Sequence, residues 1–176
     1  MDNIIEKFKE KAQQLKERNL FRVGATEEQL ENFESTLNLK LPQIFRDFYL
    51  ANNGGCFVDD SWRKDELSNP KEFGTIIWNS NYFLSLEEII EAYNFIGEFT
   101  STDFQEQEKE FNKRLIPIIH TKGQENLVWD ATQANSTQIL DAFHEVWAEE
   151  WGVIYKSFED LLNAYIDNEG DIETIA

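Results

Sequence analysis

The sequence predicts an α+β fold in which helices pack against a predominantly antiparallel sheet, and three local patterns carry that expectation. Thr26 with Gln29 and Ser85 with Glu88 stand at capping-box spacing, each just ahead of apolar residues at helical period. An isoleucine-rich run, Leu115 to Ile119, is followed after Lys122–Gly123 by Leu127, Val128 and Trp129, which reads as a β-hairpin. Ser157 then opens a last amphipathic helix. With 176 residues, 41% hydrophobic and 14% aromatic, the chain is long enough for one well-buried core, and residues 1–176 are expected to form a single domain.

Taken in order, Met1 to Leu20 reads as a helix with Ile4, Ile5, Phe8, Ala12 and Leu15 on its inner face. It has neither the apolar centre nor the small-residue cleavage site of a secretory signal. The next helix starts at the Thr26 cap, burying Leu30, Phe33 and Leu37 and leaving Glu27, Glu28, Glu31 and Glu34 mostly outside the stripe. Pro42 suits the first turn of a third helix, whose buried face is Ile44, Phe45, Phe48 and Tyr49. Asn52, Asn53, Gly54 and Gly55 should end it in the left-handed conformation of a C-cap. Cys56–Val58 and Thr75–Trp78 read as short strands around a polar loop, and Asn79–Asn81 as a turn into Tyr82, Phe83 and Leu84.

From Leu86 a further helix should bury Ile89, Ile90 and Tyr93. Between Gly97 and Lys113 the pattern thins into a Glu/Gln-rich segment, either a mobile loop or an exposed helix. Pro117 cannot donate to a ladder, so its strand belongs at a sheet edge or carries a bulge there. Gln138 to Tyr155 permits strands at both ends, with a helical reading open for Ala142 to Trp151. The closing helix places Phe158, Leu161, Leu162 and Tyr165 on one face, with Asp160 favourable in its first turn.

A formal net charge of −18 argues against nonspecific contact with nucleic acid or anionic membrane, whose phosphates would repel it. Basic partners fit better. The charge is uneven: Met1 to Arg22 holds six basic and four acidic side chains, whereas Gly123 to Ala176 holds twelve acidic and one basic, Lys156. A lone Cys56 rules out an intramolecular disulfide, and no apolar run reaches membrane-spanning length. A reducing cytoplasm is the expected setting.

Catalytic and metal-binding patterns are weak. His120 and His144, taken with Asp130 or Asp141, lack the spacing of an acid–base or zinc pair, and His144–Glu145 is not followed by a second histidine. Cys56 enters a strand after Gly55, where a small apolar residue is ordinarily packed. Asp59 and Asp60, near Asp65 and Glu66, lack EF-hand ligand order, and Gly54–Gly55 follows a helix without a P-loop lysine. No cofactor is expected. The segment Phe143 to Trp151 combines two aromatic anchors with three carboxylates, so it can either dock a basic partner or cover the core with Trp147 and Trp151. The candidate partner-binding residues are therefore Asp59, Asp60, Glu145, Trp147, Glu149, Glu150 and Trp151.

In order along the chain, Gly24-Ala25-Thr26, Leu41-Pro42, Phe48, Asn53-Gly54-Gly55, Ser85-Leu86-Glu87-Glu88-Ile89, Ile116-Pro117-Ile118, Gly123, Asn126, Asp130 and Ser157-Phe158-Glu159-Asp160-Leu161 resemble the SUKH superfamily. The resemblance spans roughly residues 21–166. It departs around residues 98–113 and Asn135 to Trp151, where members vary most and where a partner surface is a candidate. That superfamily includes bacterial immunity proteins and a fungal cell-wall regulator. The resemblance implies an α+β fold and neutralisation of a cognate toxin by tight protein binding, with no catalytic residue or cofactor; the acidity points to a basic, nuclease-like toxin domain. The alternative is a regulatory or scaffold module that binds a host protein.

Overall fold

The computed structural model describes residues 3–61, 78–103, 114–133, 135–142 and 150–172, with side chains of the fourth helix described as far as Asn94. Among these residues the chain runs α1 (Ile4–Gln14), α2 (Glu27–Leu37), α3 (Gln43–Ala51), β1 (Tyr82–Phe83), α4 (Leu86–Asp103), β2 (Leu115–His120), β3 (Asn126–Asp130), β4 (Ile139–Ala142), β5 (Val153–Tyr155) and α5 (Phe158–Asp167). The five strands follow chain order, β1-β2-β3-β4-β5, and every pairing is antiparallel. This is the expected α+β architecture.

Local chemistry sets the helix starts. The Thr26 hydroxyl accepts from Gln29 N–H at 3.2 Å, and the Gln29 side chain accepts from Thr26 N–H at 2.9 Å, so two orphan donors are satisfied reciprocally. Ser85 and Glu88 repeat the arrangement at 3.2 and 2.8 Å, and α4 begins at Leu86 as its cap requires. Ser157 accepts from Asp160 N–H at 3.0 Å and opens α5. Pro42 lies one residue outside α3, as its N-cap.

The termination of α3 differs from expectation. Its C-cap Asn52 is extended, with φ −149°, and the positive φ values fall at Gly54 (81°) and Gly55 (126°). These two glycines serve the tertiary fold: a Cβ on Gly54 would lie 2.6 Å from Ser85 N, and one on Gly55 2.5 Å from Leu20 O. The glycine pair therefore lets three backbone segments converge. Among the described residues Cys56–Val58 pairs through one isolated bridge, Asn19 with Phe57, beside a second, Gly55 with Phe83, just ahead of it, and so falls short of a full strand. Thr75 to Ile77 lie outside the described residues.

The expected hairpin is β2–β3, with Ile116 opposite Trp129 and Pro117 opposite Val128. Because β2 runs between β1 and β3, the edge position expected for Pro117 as one option is not used; the register shifts between Pro117 and Ile119 instead, a bulge that absorbs the missing donor. The ends of the open Gln138 to Tyr155 segment are β4 and β5. Residues 143–149 lie outside the described residues, as do 104–113 of the Glu-rich segment, whose beginning continues α4 to Asp103.

Alternation along β3 splits its side chains between two apolar clusters. Leu127 and Trp129 join the main core with Phe8, Phe45, Phe48 and Phe158 from the helices. Val128 faces the other way, with Leu115, Leu140 and Ala142. Aromatic contacts organise the main core: Phe45 stacks on Phe158 at 4.0 Å, and Phe8 stacks on Phe57 at 5.5 Å and meets Phe21 edge-on at 4.9 Å. Ile4, Ile5 and Phe8 are buried as the α1 pattern requires, with Ala12 and Leu15 packed beside them.

Candidate functional site

The described candidate residues separate into two places. Asp59 and Asp60 are exposed on the turn after Val58 and line an open cleft of about 430 Å³. Glu150 is exposed, while Trp151 is half-buried and packs against Leu115, Val128, Leu140 and Ala142 on the sheet face turned away from the main core. Neither Glu150 nor Trp151 lines the cleft. Trp151 thus packs on this smaller apolar cluster and keeps part of its surface in solvent. Glu145, Trp147 and Glu149 lie outside the described residues.

Distant parts of the chain build the cleft. Arg18, beyond the end of α1, donates from Nε to the Val58 carbonyl at 2.7 Å and from Nη1 to Glu169 Oε2 at 2.7 Å, while Lys11 stands 3.7 Å from the other Glu169 oxygen. The hydrogen bond from Arg18 holds the Glu169 carboxyl below the usual carboxylate range. Opposite, the buried Asn81 side chain donates to the Gly170 carbonyl at 2.9 Å and accepts from Lys122 N–H at 3.1 Å. Lys122 also pairs with Asp171. Asp59 accepts from Ser61 N–H at 2.8 Å, and its hydrogen bonds from Ser61 keep its carboxyl below the ordinary value.

Asp167 completes the acidic lining, so five carboxylates (Asp59, Asp60, Asp167, Glu169 and Asp171) surround two cations, Arg18 and Lys122. Sequence reasoning found only the first two. The run of negative charge toward the C-terminus was visible, but its apposition to the Asp59–Asp60 turn depends on the tertiary ties through Arg18, Asn81 and Lys122.

The described chemical candidates lie in packed or locally hydrogen-bonded positions. Cys56 is fully buried, and burial pushes its thiol up to about 12. His120 sits at the end of β2 opposite Tyr82, with Trp78 edge-on to its ring at 5.2 Å. Burial pulls its imidazole below the ordinary value, against smaller opposing effects of Asn126 and Glu125. Asp130 accepts from Thr132 N–H at 2.9 Å in a local turn. Asp141 is buried in β4, and His144 lies outside the described residues. Among the described residues no group of three or more His, Cys, Asp or Glu side chains could hold a metal ion, and no helix is long and apolar enough to cross a membrane.

No curated protein matches the chain. The family model of the SMI1 / KNR4 family (SUKH-1) matches residues 24–164, from the loop before α2 to within α5. It takes in both capping boxes, the Gly54–Gly55 crossing, the whole sheet and the Ser157 cap, leaving α1 outside. With most of its 176 residues in that match, the chain belongs to the SMI1 / KNR4 family (SUKH-1).

Proposed function

We propose that this protein is a cytoplasmic immunity protein that neutralises a cognate bacterial toxin by direct binding. The observation that carries this reading is the family match over residues 24–164, because the family is known for toxin-immunity domains. The toxin domain presents a basic surface, as a nuclease does, and the net charge of −18 supports that choice by favouring encounter with a cationic partner over nucleic acid itself. Inhibition of this kind works by occlusion and asks for no catalytic group or cofactor. Its association rate should fall steeply with ionic strength, since long-range steering between exposed charges is screened beyond about 10 Å at 0.1 M salt.

A growth-protection assay tests the reading. The C-terminal domain of the product of the adjacent open reading frame is expressed with and without this protein, and the two are then purified together by size exclusion. Rescue accompanied by a stable complex is the expected result. Toxicity without rescue or complex would reject immunity against that toxin, and a non-toxic neighbour would favour a regulatory role instead.

A further inference from the structure

We propose that Trp78 and the adjoining acidic cleft form the docking surface for a basic protein partner, Trp78 serving as the apolar anchor and the cleft receiving an Arg or Lys side chain. This deepens the immunity reading by placing the contact on a surface. Trp78 is 53% exposed, and among the described residues only Val23, Trp78 and Val153 are large hydrophobic side chains so open to solvent. It is the aromatic one of the three. A side chain of this kind supplies binding energy when a partner desolvates it.

Its ring is not loose. The His120 imidazole meets it at 87° and 5.2 Å, and His120 is itself fixed in β2 between Tyr82 and Asn126. A pre-positioned anchor loses less side-chain entropy on binding. Both chain segments that carry this pair lead directly into the cleft: Asn79 follows Trp78, and Lys122 comes two residues after His120; both line it. Neither ring lines the cleft itself; the anchor neighbours it through these two chain segments.

The charge of the cleft selects the partner. Of the cleft's five carboxylates, Asp167, Glu169 and Asp171 are already paired with Lys7, Arg18 and Lys122, with Lys11 also near Glu169. Asp59 and Asp60 stand in no ion pair among the described residues and leave the cleft net negative. An incoming guanidinium meets acceptors in a volume of about 430 Å³, ample for one long side chain. A second copy of the chain would bring a second negative cleft, so self-association is disfavoured there.

The test is a ¹⁵N–¹H titration of the full chain with octa-arginine, a probe that needs no toxin. Expected are the largest shifts at the Trp78 indole N–H and at the amides of Asn79, Ser80 and Lys122, and an affinity reduced about tenfold or more in Trp78→Ala combined with Asp60→Asn. A control, Glu28→Gln with Glu91→Gln, removes two exposed charges elsewhere and should cost less than about threefold. Retained amide dispersion shows that each variant is folded. Three results would overturn the proposal: shifts spread evenly over the α2 and α4 carboxylates, equal losses in the two double variants, or the same shifts from calcium chloride alone. Failure of the growth rescue beside a localised footprint would reject immunity and leave this surface standing. Rescue beside a diffuse footprint would do the reverse.

Discussion

The hydroxyl of Tyr165 in α5 accepts from the backbone N–H of Phe57 at 2.9 Å, linking two residues 108 positions apart in a fully buried site. The same hydroxyl donates to the Asn81 carbonyl at 3.1 Å, so one phenol ties the segment after Gly55, the turn before β1 and the last helix together. Burial pushes its ionisation well above the usual tyrosine range, and it remains a neutral donor and acceptor. Tyr165→Phe would keep the ring packing and leave a buried N–H and C=O without this partner. The expected cost is about 2 kcal/mol in urea denaturation, with an unchanged m value. A loss below about 0.5 kcal/mol would show that the tie is dispensable.

Gly55 makes a sharper demand. Its φ of 126° is unfavourable for any L side chain, and an added Cβ would lie 2.5 Å from both Leu20 O and Phe21 Cα, backbone atoms that cannot swing aside. Gly55→Ala should therefore cost more than about 3 kcal/mol, or prevent accumulation of folded protein. Gly123 is the comparison: its nearest neighbour to a new Cβ is the Thr121 hydroxyl at 3.6 Å, an ordinary contact. Gly123→Ala should change the melting temperature little, and equal effects at the two positions would remove the argument for backbone crossing.

Cys56 should be silent in the native protein. The thiol has no exposed surface and is held protonated by burial, so neither access nor thiolate is available to an electrophile. With a neutral disulfide reagent at pH 8, the folded protein should release almost no thiolate, and full reaction of its one cysteine should follow denaturation. Rapid reaction without denaturant would mean that the segment opens locally.

Much of the fold was legible because its signals are local. Thr26–Gln29, Ser85–Glu88 and Ser157–Asp160 each fix a helix start through neighbours three residues apart, and Lys122–Gly123 separates two strands that pair directly. The function of Gly54 and Gly55 was not legible, since a glycine after a helix looks the same whether it caps the helix or admits another backbone. The cleft was harder still. Arg18, Asp59, Asn81, Lys122 and Glu169 meet only after α1, the sheet and α5 have packed, and no periodicity within one segment announces such a meeting. Trp78 gave no sequence signal for exposure, because it read as the last residue of the strand Thr75–Trp78, where an apolar side chain is ordinarily expected inside, whereas the structure places it in a helical turn.

Glu34 links stability to pH. It projects from α2 to accept from Leu41 N–H at 2.9 Å, Arg46 Nη1 at 3.0 Å and Lys40 Nζ at 2.8 Å, with its side chain 3% exposed. Burial pushes its carboxyl upward, but these three donors outweigh it and hold the group below the ordinary carboxylate value. A carboxylate whose folded pKa is depressed contributes stability that is fully present above the unfolded value of about 4.3 and is lost as pH falls through the folded value. Acidification also relieves the repulsion of a chain carrying −18, which works in the opposite direction and affects any variant almost equally. The difference between wild type and Glu34→Gln isolates the local contribution. That gap should be about 3 kcal/mol at pH 7 and narrow steadily below about pH 4, followed by chemical denaturation at each pH. A gap that stays constant down to pH 2.5 would show that the ionised carboxylate contributes nothing beyond what the glutamine retains.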